Sequence, residues 1–205
     1  MPSLGRLTQL FVGCVVLGTG VAMLLTADLG SDGFSTLVNG VALSTGAPFW
    51  MANLLVSIGF LLLAAARRTY PGLGTVVQVV VVGATVSVLF EVMSTPETWS
   101  GQVGLLLLAF PVLAIGIATY LGSHTGAGPA EAAALAWDPP LPFRWSYSSV
   151  QLGGAVVGWL LGATIGVATV LVVLLLGPMV DLAARLLRLD VHQRPATPQA
   201  EPAAS

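Results

Sequence analysis

Six long apolar blocks, at approximately Leu7–Ala27, Phe49–Ala66, Gly72–Met93, Val103–Leu121, Ser148–Ile165 and Val167–Leu187, carry almost no polar interruption. An α-helix needs about 20 apolar residues to cross a hydrocarbon core about 30 Å thick, and each block comes near that length. The pattern therefore predicts an all-α integral membrane protein of six transmembrane helices. The fifth and sixth blocks meet so tightly, at Gly162-Ala-Thr-Ile-Gly166, that one long buried hairpin is the alternative there. The first block follows Arg6 as the apolar part of a secretory signal would. It is longer than the about 7–15 residues usual for such a signal and lacks an Ala-x-Ala end, so it reads as a retained helix.

After the first block, and again after the fourth, comes a segment too polar at its start and too short to cross. One opens Gly30-Ser-Asp-Gly-Phe-Ser35 and the other Gly126-Ala-Gly-Pro-Ala-Glu131. Asp32 and Gly128 stand at N-cap positions, Gly33 and Pro129 at the first helical position, and Ser35 and Glu131 at the third. A proline at the first position and a carboxylate in the first turn both suit a helix N-terminus. The runs that follow, to about Thr45 and Trp137, predict helices of about 10–13 residues, or roughly 15–20 Å, half a membrane. Such a piece is either an interfacial helix or a re-entrant half-helix, and the latter is tolerated only where protein or a wet cavity satisfies its backbone.

These segments belong to a wider self-similarity. Gly20-Val-Ala22 and Ala27-Asp28-Leu-Gly30 match Gly116-Ile-Ala118 and Ser123-His124-Thr-Gly126 at one offset. Gly72, Thr75 and Gly83 recur as Gly166, Thr169 and Gly177 at another, and Gly59-Phe-Leu-Leu62 resembles Gly158-Trp-Leu-Leu161. Loops of unequal length account for the differing offsets; coincidence among abundant Val, Leu, Ala and Gly is the competing explanation. The halves fall at 1–100 and 101–192, with a Pro- and Ala-rich, aperiodic tail at 193–205 that is predicted disordered. Three crossings per half invert one half relative to the other, and inverted repeats recur in secondary transporters with the site between the halves.

Composition agrees: 56% of the 205 residues are hydrophobic and 8% charged, against roughly 25% charged in soluble domains. All the basic residues are arginine and they are dispersed, so nucleic-acid binding has no support. Their placement orients the chain, because short cytoplasmic loops retain arginine. Arg6, Arg67 and Arg68, Arg144, and the trio Arg185, Arg188 and Arg194 all fall on one side of a six-span arrangement. The opposite loops hold Asp28, Asp32, Glu91 and Glu97 and no basic residue. The expected location is the cell membrane, multi-pass, with both termini cytoplasmic. Trp50, Trp99, Trp137, Trp145 and Tyr147 fall near the expected boundaries, where amphipathic aromatics belong.

Gly20-x-Ala22, Ala27-Asp-Leu-Gly30, Gly72-Leu-Gly-Thr75, the Gly126-Ala-Gly-Pro129 turn and Gly177-Pro178 resemble the bacterial YczE/YyaS/YitT-type integral membrane proteins, from the first span to the last. The resemblance implies a location and an architecture rather than a reaction. In that family a proline, and an acid two residues after it, often follow the first Ala-Asp-Leu-Gly; here Gly33 and Ser35 stand there, while Pro129 and Glu131 keep both features in the second half.

Glu131 is the sharpest candidate for a pathway residue, since an ionisable group at membrane depth costs roughly 2.5–3.5 kcal/mol on insertion scales. The plainer reading is a surface glutamate at a helix N-terminus. His124, which stands opposite Asp28 in the repeat, either relays a proton near pH ~6.5 or caps a helix end. Gln78 and Thr75, Asn53 and Ser57, and Gln151 either line a cavity or tie helices together, at about 0.6 kcal/mol per bond. The glycines Gly72, Gly74, Gly83, Gly166 and Gly177, with Thr169 and Pro178, read as structural. A single cysteine, Cys14, permits no intrachain disulfide, and no metal or other cofactor is expected.

The expected function is a transporter-like or channel-like permease for a small solute, with Asp28, Gly30, Asp32, Ser35, His124, Gly126, Gly128, Pro129, Glu131, Gln78 and Asn53 as substrate or pathway residues. Gly-rich helix N-termini would offer the solute backbone donors. The alternative is an accessory protein acting through a membrane partner protein. No Gly-x-Ser-x-Gly, His-Glu-x-x-His or phosphate-cradling motif occurs, so an enzyme is not expected. The expected partners are the lipid bilayer, a small-molecule solute, and a homo-oligomeric copy or membrane partner.

Overall fold

The computed structural model describes residues 2–47, 49–138 and 140–191. The expectations for Arg194, the 193–205 tail and the side chains of Trp50 and Glu91 fall outside what it describes. Among the described residues every regular element is helical: α1 (Leu4–Thr26), α2 (Gly33–Thr45), α3 (Phe49–Ala65), α4 (Leu73–Val92), α5 (Trp99–Leu121), α6 (Pro129–Leu135), α7 (Phe143–Leu160), and α8 (Val167–Leu171), which runs through a π turn (Val172–Leu176) into α9 (Gly177–Leu187). Three helices, Leu4–Thr26, Trp99–Leu121 and Val167–Leu187, are long and apolar enough to cross a membrane; Met51–Ala65 and Leu73–Val86 are shorter apolar helices.

Several boundaries differ from the sequence expectation. α7 starts at Phe143 rather than Ser148, because Pro142 holds the N-cap backbone extended (φ −55, ψ 141) and the helix can begin at the next residue. It ends at Leu160 rather than Ile165, where Gly162 takes a left-handed conformation (φ 98) that separates α7 from α8. α6 is only seven residues long and stops at Leu135, short of Trp137, ahead of the Pro139-Pro140 pair. In α9, Pro178 lacks an N–H and its ring crowds the carbonyl four residues back; the π turn just before it absorbs the misfit, so one continuous rod spans Val167–Leu187.

The core is an antiparallel pair, α1 on α5. Gly13 meets the Tyr120 backbone, Gly116 meets Leu17, and Gly20 meets Leu113, so close that a Cβ on these glycines would lie 2.5–2.8 Å from the facing backbone or side chain. Leu10, Cys14, Leu17, Leu113, Ile117 and Tyr120 are buried along this seam. The two helices are staggered. Thr26 ends α1 about 9 Å beyond the Gly20–Leu113 crossing, whereas α5 starts about 21 Å away from it in that direction, at 1.5 Å per residue. At the other end α5 stops just past Tyr120, while α1 begins about 14 Å beyond Gly13. Each helix therefore ends about 12 Å short of its partner's start, and the chain turns into α2 and α6 from inside the bundle rather than from its ends.

Large apolar side chains such as Phe11, Leu55, Leu62, Val80, Leu107 and Leu174 are exposed around the outside. A monomeric water-soluble protein does not present that much contiguous apolar surface, so the fold and the composition both describe a membrane protein.

Candidate functional site

The two loops that follow α1 and α5 share one geometry. Asp28 and His124 each take a left-handed turn (φ 53 in both), followed by Gly30 (φ 107) and Gly126 (φ 129). Gly30 lies against Gly166 and the Thr169 hydroxyl; Gly126 lies against Gly72 and the Thr75 hydroxyl. The Gly74 N–H donates to the Thr125 carbonyl at 2.8 Å, and the Ala168 N–H donates to the Leu29 carbonyl at 2.9 Å. Gly72 and Gly166 begin α4 and α8, and their N–H groups donate to the Thr75 and Thr169 hydroxyls at 3.1 and 3.3 Å. The glycines and threonines expected to be structural thus fasten each loop to a helix start in the other half of the chain. Gly177 packs on the Arg144 carbonyl, and Pro178 sits at the π turn.

From these loops α2 and α6 begin with the caps the sequence implies. Asp32 caps α2, its Oδ2 accepting the Ser35 N–H at 3.0 Å. The next exposed donor, the Phe34 N–H, is taken by Gln151 Oε1 of α7 at 3.2 Å. At α6, Gly128 caps and Pro129 brings no N–H; the Gly128 N–H donates to the Tyr120 hydroxyl at 3.1 Å. Three of the backbone donors expected to face a solute are therefore already used, by Asp32, Gln151 and Tyr120.

α2 runs parallel to α7 with backbones almost touching: Gly33 meets the Gln151 carbonyl, Gly154 the Gly33 carbonyl, and Gly158 the Thr36 carbonyl. All seven residues of α6 are buried, Glu131 among them at 5% exposure. At the far end of α6 the Ala136 carbonyl accepts from Arg67 Nε, whose guanidinium lies 4.3 Å over the Trp137 ring. The cation thereby meets a helix C-terminus, where it is electrostatically favoured.

The Glu131 carboxyl lies near the phenols of Tyr120 and Tyr147, and Tyr147 lies near Gln151. Polar side chains therefore run from the α6 N-terminus to the α2 N-terminus, and Asp32 and Glu131 are close enough to act on one another electrostatically. Both carboxyls line a cavity of about 730 Å³. Of the sequence candidates, Ser35, Asn53, Gln78 and Pro129 line it as well, and so does Gly83. Gly128 lies beside it: a Cβ there would come within 2.7 Å of both Gln78 Cδ and Glu131 Oε2, so a larger residue would displace these side-chain ends. Leu17, Val21, Val82, Leu113, Ile117 and Leu176 supply apolar wall.

Asp28 and His124 are exposed at their turns and are not part of this lining, and Gly30 and Gly126 serve the loop contacts. Among the described residues no three His, Cys, Asp or Glu side chains converge as a metal cluster would. Three participants were underestimated from sequence. Tyr147 reads as a boundary aromatic until α7 is seen to start a full turn earlier, which carries it inward to 3% exposure. Gln151 reads equally well as helix glue. Tyr120, at the end of an apolar helix, carried only its hydroxyl as a signal, since a buried tyrosine needs a partner.

Comparison with known proteins gives a family of unknown function, DUF6198, which matches residues 4–185. An uncharacterized protein of Haemophilus influenzae (strain Rd) is 25% identical over 168 residues, covering 81% of this chain and 77% of the relative. No solved structure matches.

Proposed function

The chain belongs to the DUF6198 family of unknown function, and on that premise we propose that this member is a six-span permease for a small solute, built from two inverted three-helix repeats with both termini cytoplasmic. The observation that carries the reading is the cavity itself. It is walled by the N-termini of two short helices, one from each half, and holds a carboxyl from each. Inverted-repeat transporters place their sites in this way, at broken or short helices between the halves. The resemblance to YczE/YyaS/YitT-type membrane proteins belongs to the same reading.

The inverted repeat draws support from contacts that exchange when the halves are exchanged. Gly20 on Leu113 and Gly116 on Leu17 form such a pair, as do Gly74 on Thr125 and Ala168 on Leu29. Shifting one member of each pair by the repeat offsets generates the other, which is what a two-fold axis between halves requires. Re-entrant rather than interfacial placement of the short helices is favoured by α6, because a helix lying flat on a membrane keeps a polar, wet face and α6 has none. The halves differ in one respect that matters for access. The π turn and α9 pack against α7, whereas α4 makes no comparable packing with α3, and the cavity lies between α4 and α2–α3.

Reconstituted into proteoliposomes, the protein is expected to pass one class of small solute, and Gly83→Trp, which adds a bulky side chain at a lining position where a Cβ meets nothing within 4 Å, is expected to abolish that flux. Absence of flux for every solute class, together with co-purification of a stoichiometric partner, would instead establish the accessory role.

A further inference from the structure

We propose that the cavity takes a small organic ammonium ion, its charge held between Asp32 and Glu131 and its apolar body against Leu17, Val21, Leu113 and Ile117. The inference rests on the permease reading only for the route by which the ion reaches the site; the recognition chemistry stands on the lining itself.

The first argument is sign. Two carboxyls line the cavity, and among the described residues no arginine, lysine or histidine lines it with them. Three of the N–H groups at these helix starts are already engaged: Ser35 with Asp32, Phe34 with Gln151 and Gly128 with Tyr120. A carboxylate or phosphate would meet two acidic side chains with only neutral amide and hydroxyl groups to donate to it. A cation would meet two carboxyls and the acceptor oxygens of the side-chain amides of Gln78 and Asn53.

The second argument is unfilled acceptors. Asp32 Oδ1 and Ser57 Oγ are buried and have no hydrogen-bond partner among the described residues, and Ser57 is 4% exposed. Both residues line the cavity. Buried polar atoms of this kind are rare in native structures unless something absent completes them. The N–H groups of a primary or secondary ammonium ion would supply the missing donors to Asp32, and Ser57 would accept another.

The third argument is size and walls. A bare inorganic cation asks for six to eight oxygens at about 2.3–2.6 Å when it is a hard divalent ion, while a cavity of about 730 Å³ with hydrocarbon over most of its wall matches a small organic molecule. Phe34 and Tyr147 add aromatic surface to the lining.

The test is calorimetric titration of the purified full chain with four probes that separate charge from shape: benzylammonium, benzyl alcohol, benzoate and sodium. Benzylammonium is expected to bind one per chain and at least tenfold more tightly than benzyl alcohol, with no measurable benzoate binding and no competition from sodium. Glu131→Gln and Asp32→Asn are each expected to weaken benzylammonium at least tenfold, and Glu131→Asp to recover part of the loss. Benzoate or benzyl alcohol binding as tightly as benzylammonium would overturn the inference without recourse to any variant. Tighter binding of sodium, or unchanged binding in both amide variants, would overturn it as well. The permease reading fails separately: carboxyl-dependent benzylammonium binding without flux in proteoliposomes sinks transport and leaves this inference standing, whereas flux of an anion or neutral solute does the reverse.

Discussion

Gly153 and Gly154 are neighbours in α7 and both belong to the Gly153-Gly-x-x-x-Gly158 stretch, yet replacing each by alanine should move stability in opposite directions. At Gly153 an added Cβ meets nothing within 4 Å. At Gly154 it would lie 2.6 Å from the Gly33 carbonyl oxygen and 2.9 Å from its carbon, both backbone atoms that no rotamer change can move. Restoring ordinary contact would open α2 from α7 by roughly 0.8 Å, and gaps of that size forfeit a quarter to a half of the dispersion attraction across the seam. Overpacking of this kind costs about 1–3 kcal/mol. The gain in helix propensity on going from glycine to alanine, about 0.5–1 kcal/mol, is common to both positions and cancels in the comparison. Gly154→Ala should therefore unfold more easily than Gly153→Ala by about 1–3 kcal/mol, with Gly153→Ala at or above the parent. Reversible unfolding in mixed detergent micelles, followed by far-UV circular dichroism, measures the difference. Equal stabilities within about 0.5 kcal/mol, or Gly153→Ala as the weaker of the two, would show that the α2–α7 seam is not a backbone contact and would refute the packing argument.

Thr75→Val keeps shape but strips the hydroxyl that accepts from Gly72 and donates to the Ala127 carbonyl at 2.7 Å; a loss of about 1–3 kcal/mol is expected in the same unfolding assay, with Thr75→Ser much milder. Tyr120→Phe leaves the Gly128 N–H without its acceptor at the buried start of α6, so a destabilisation of about 1–3 kcal/mol is expected, together with faster hydrogen exchange at Gly128. Cys14 is fully buried, so maleimide in solution should leave it unlabelled until the protein is unfolded; rapid labelling of the folded chain would contradict the α1–α5 seam. In a Cys14→Ala background, cysteines at Arg68 and Thr98 should label from opposite faces of an oriented vesicle, Arg68 from the cytoplasmic face; labelling of both from one face would overturn the six-span topology.

Local chemistry was legible in the chain wherever it depends on neighbours in sequence. Asp32 and Gly128 as caps, Gly33 and Pro129 at the first helical position, and the Gly72/Thr75 and Gly166/Thr169 helix starts all follow from groups within three or four residues of one another, and the helices begin there. The extent of α7 was less legible because its first turn, Phe143 to Tyr147, contains arginine, serine and tryptophan, which look like loop until Tyr147 is seen to be buried. The missing acid at Ser35 illustrates a subtler limit. Position by position, the first half has lost the carboxyl that Glu131 provides in the second, yet Asp32, whose counterpart is Gly128, brings a carboxyl into the same cavity from the N-cap instead.

The sequence by itself determined that this chain lives in a membrane and where its long apolar helices lie, because both follow from hydropathy and spacing along the chain. Only the tertiary structure decided what the polar residues do. Whether Gln151, Tyr120 and Tyr147 are glue or site, whether Glu131 is at the surface or buried, and whether helix N-termini offer donors or consume them all depend on the stagger of α1 against α5. That stagger is set by which glycines let two backbones meet, and a glycine that faces a helix is written with the same letter as one that faces lipid.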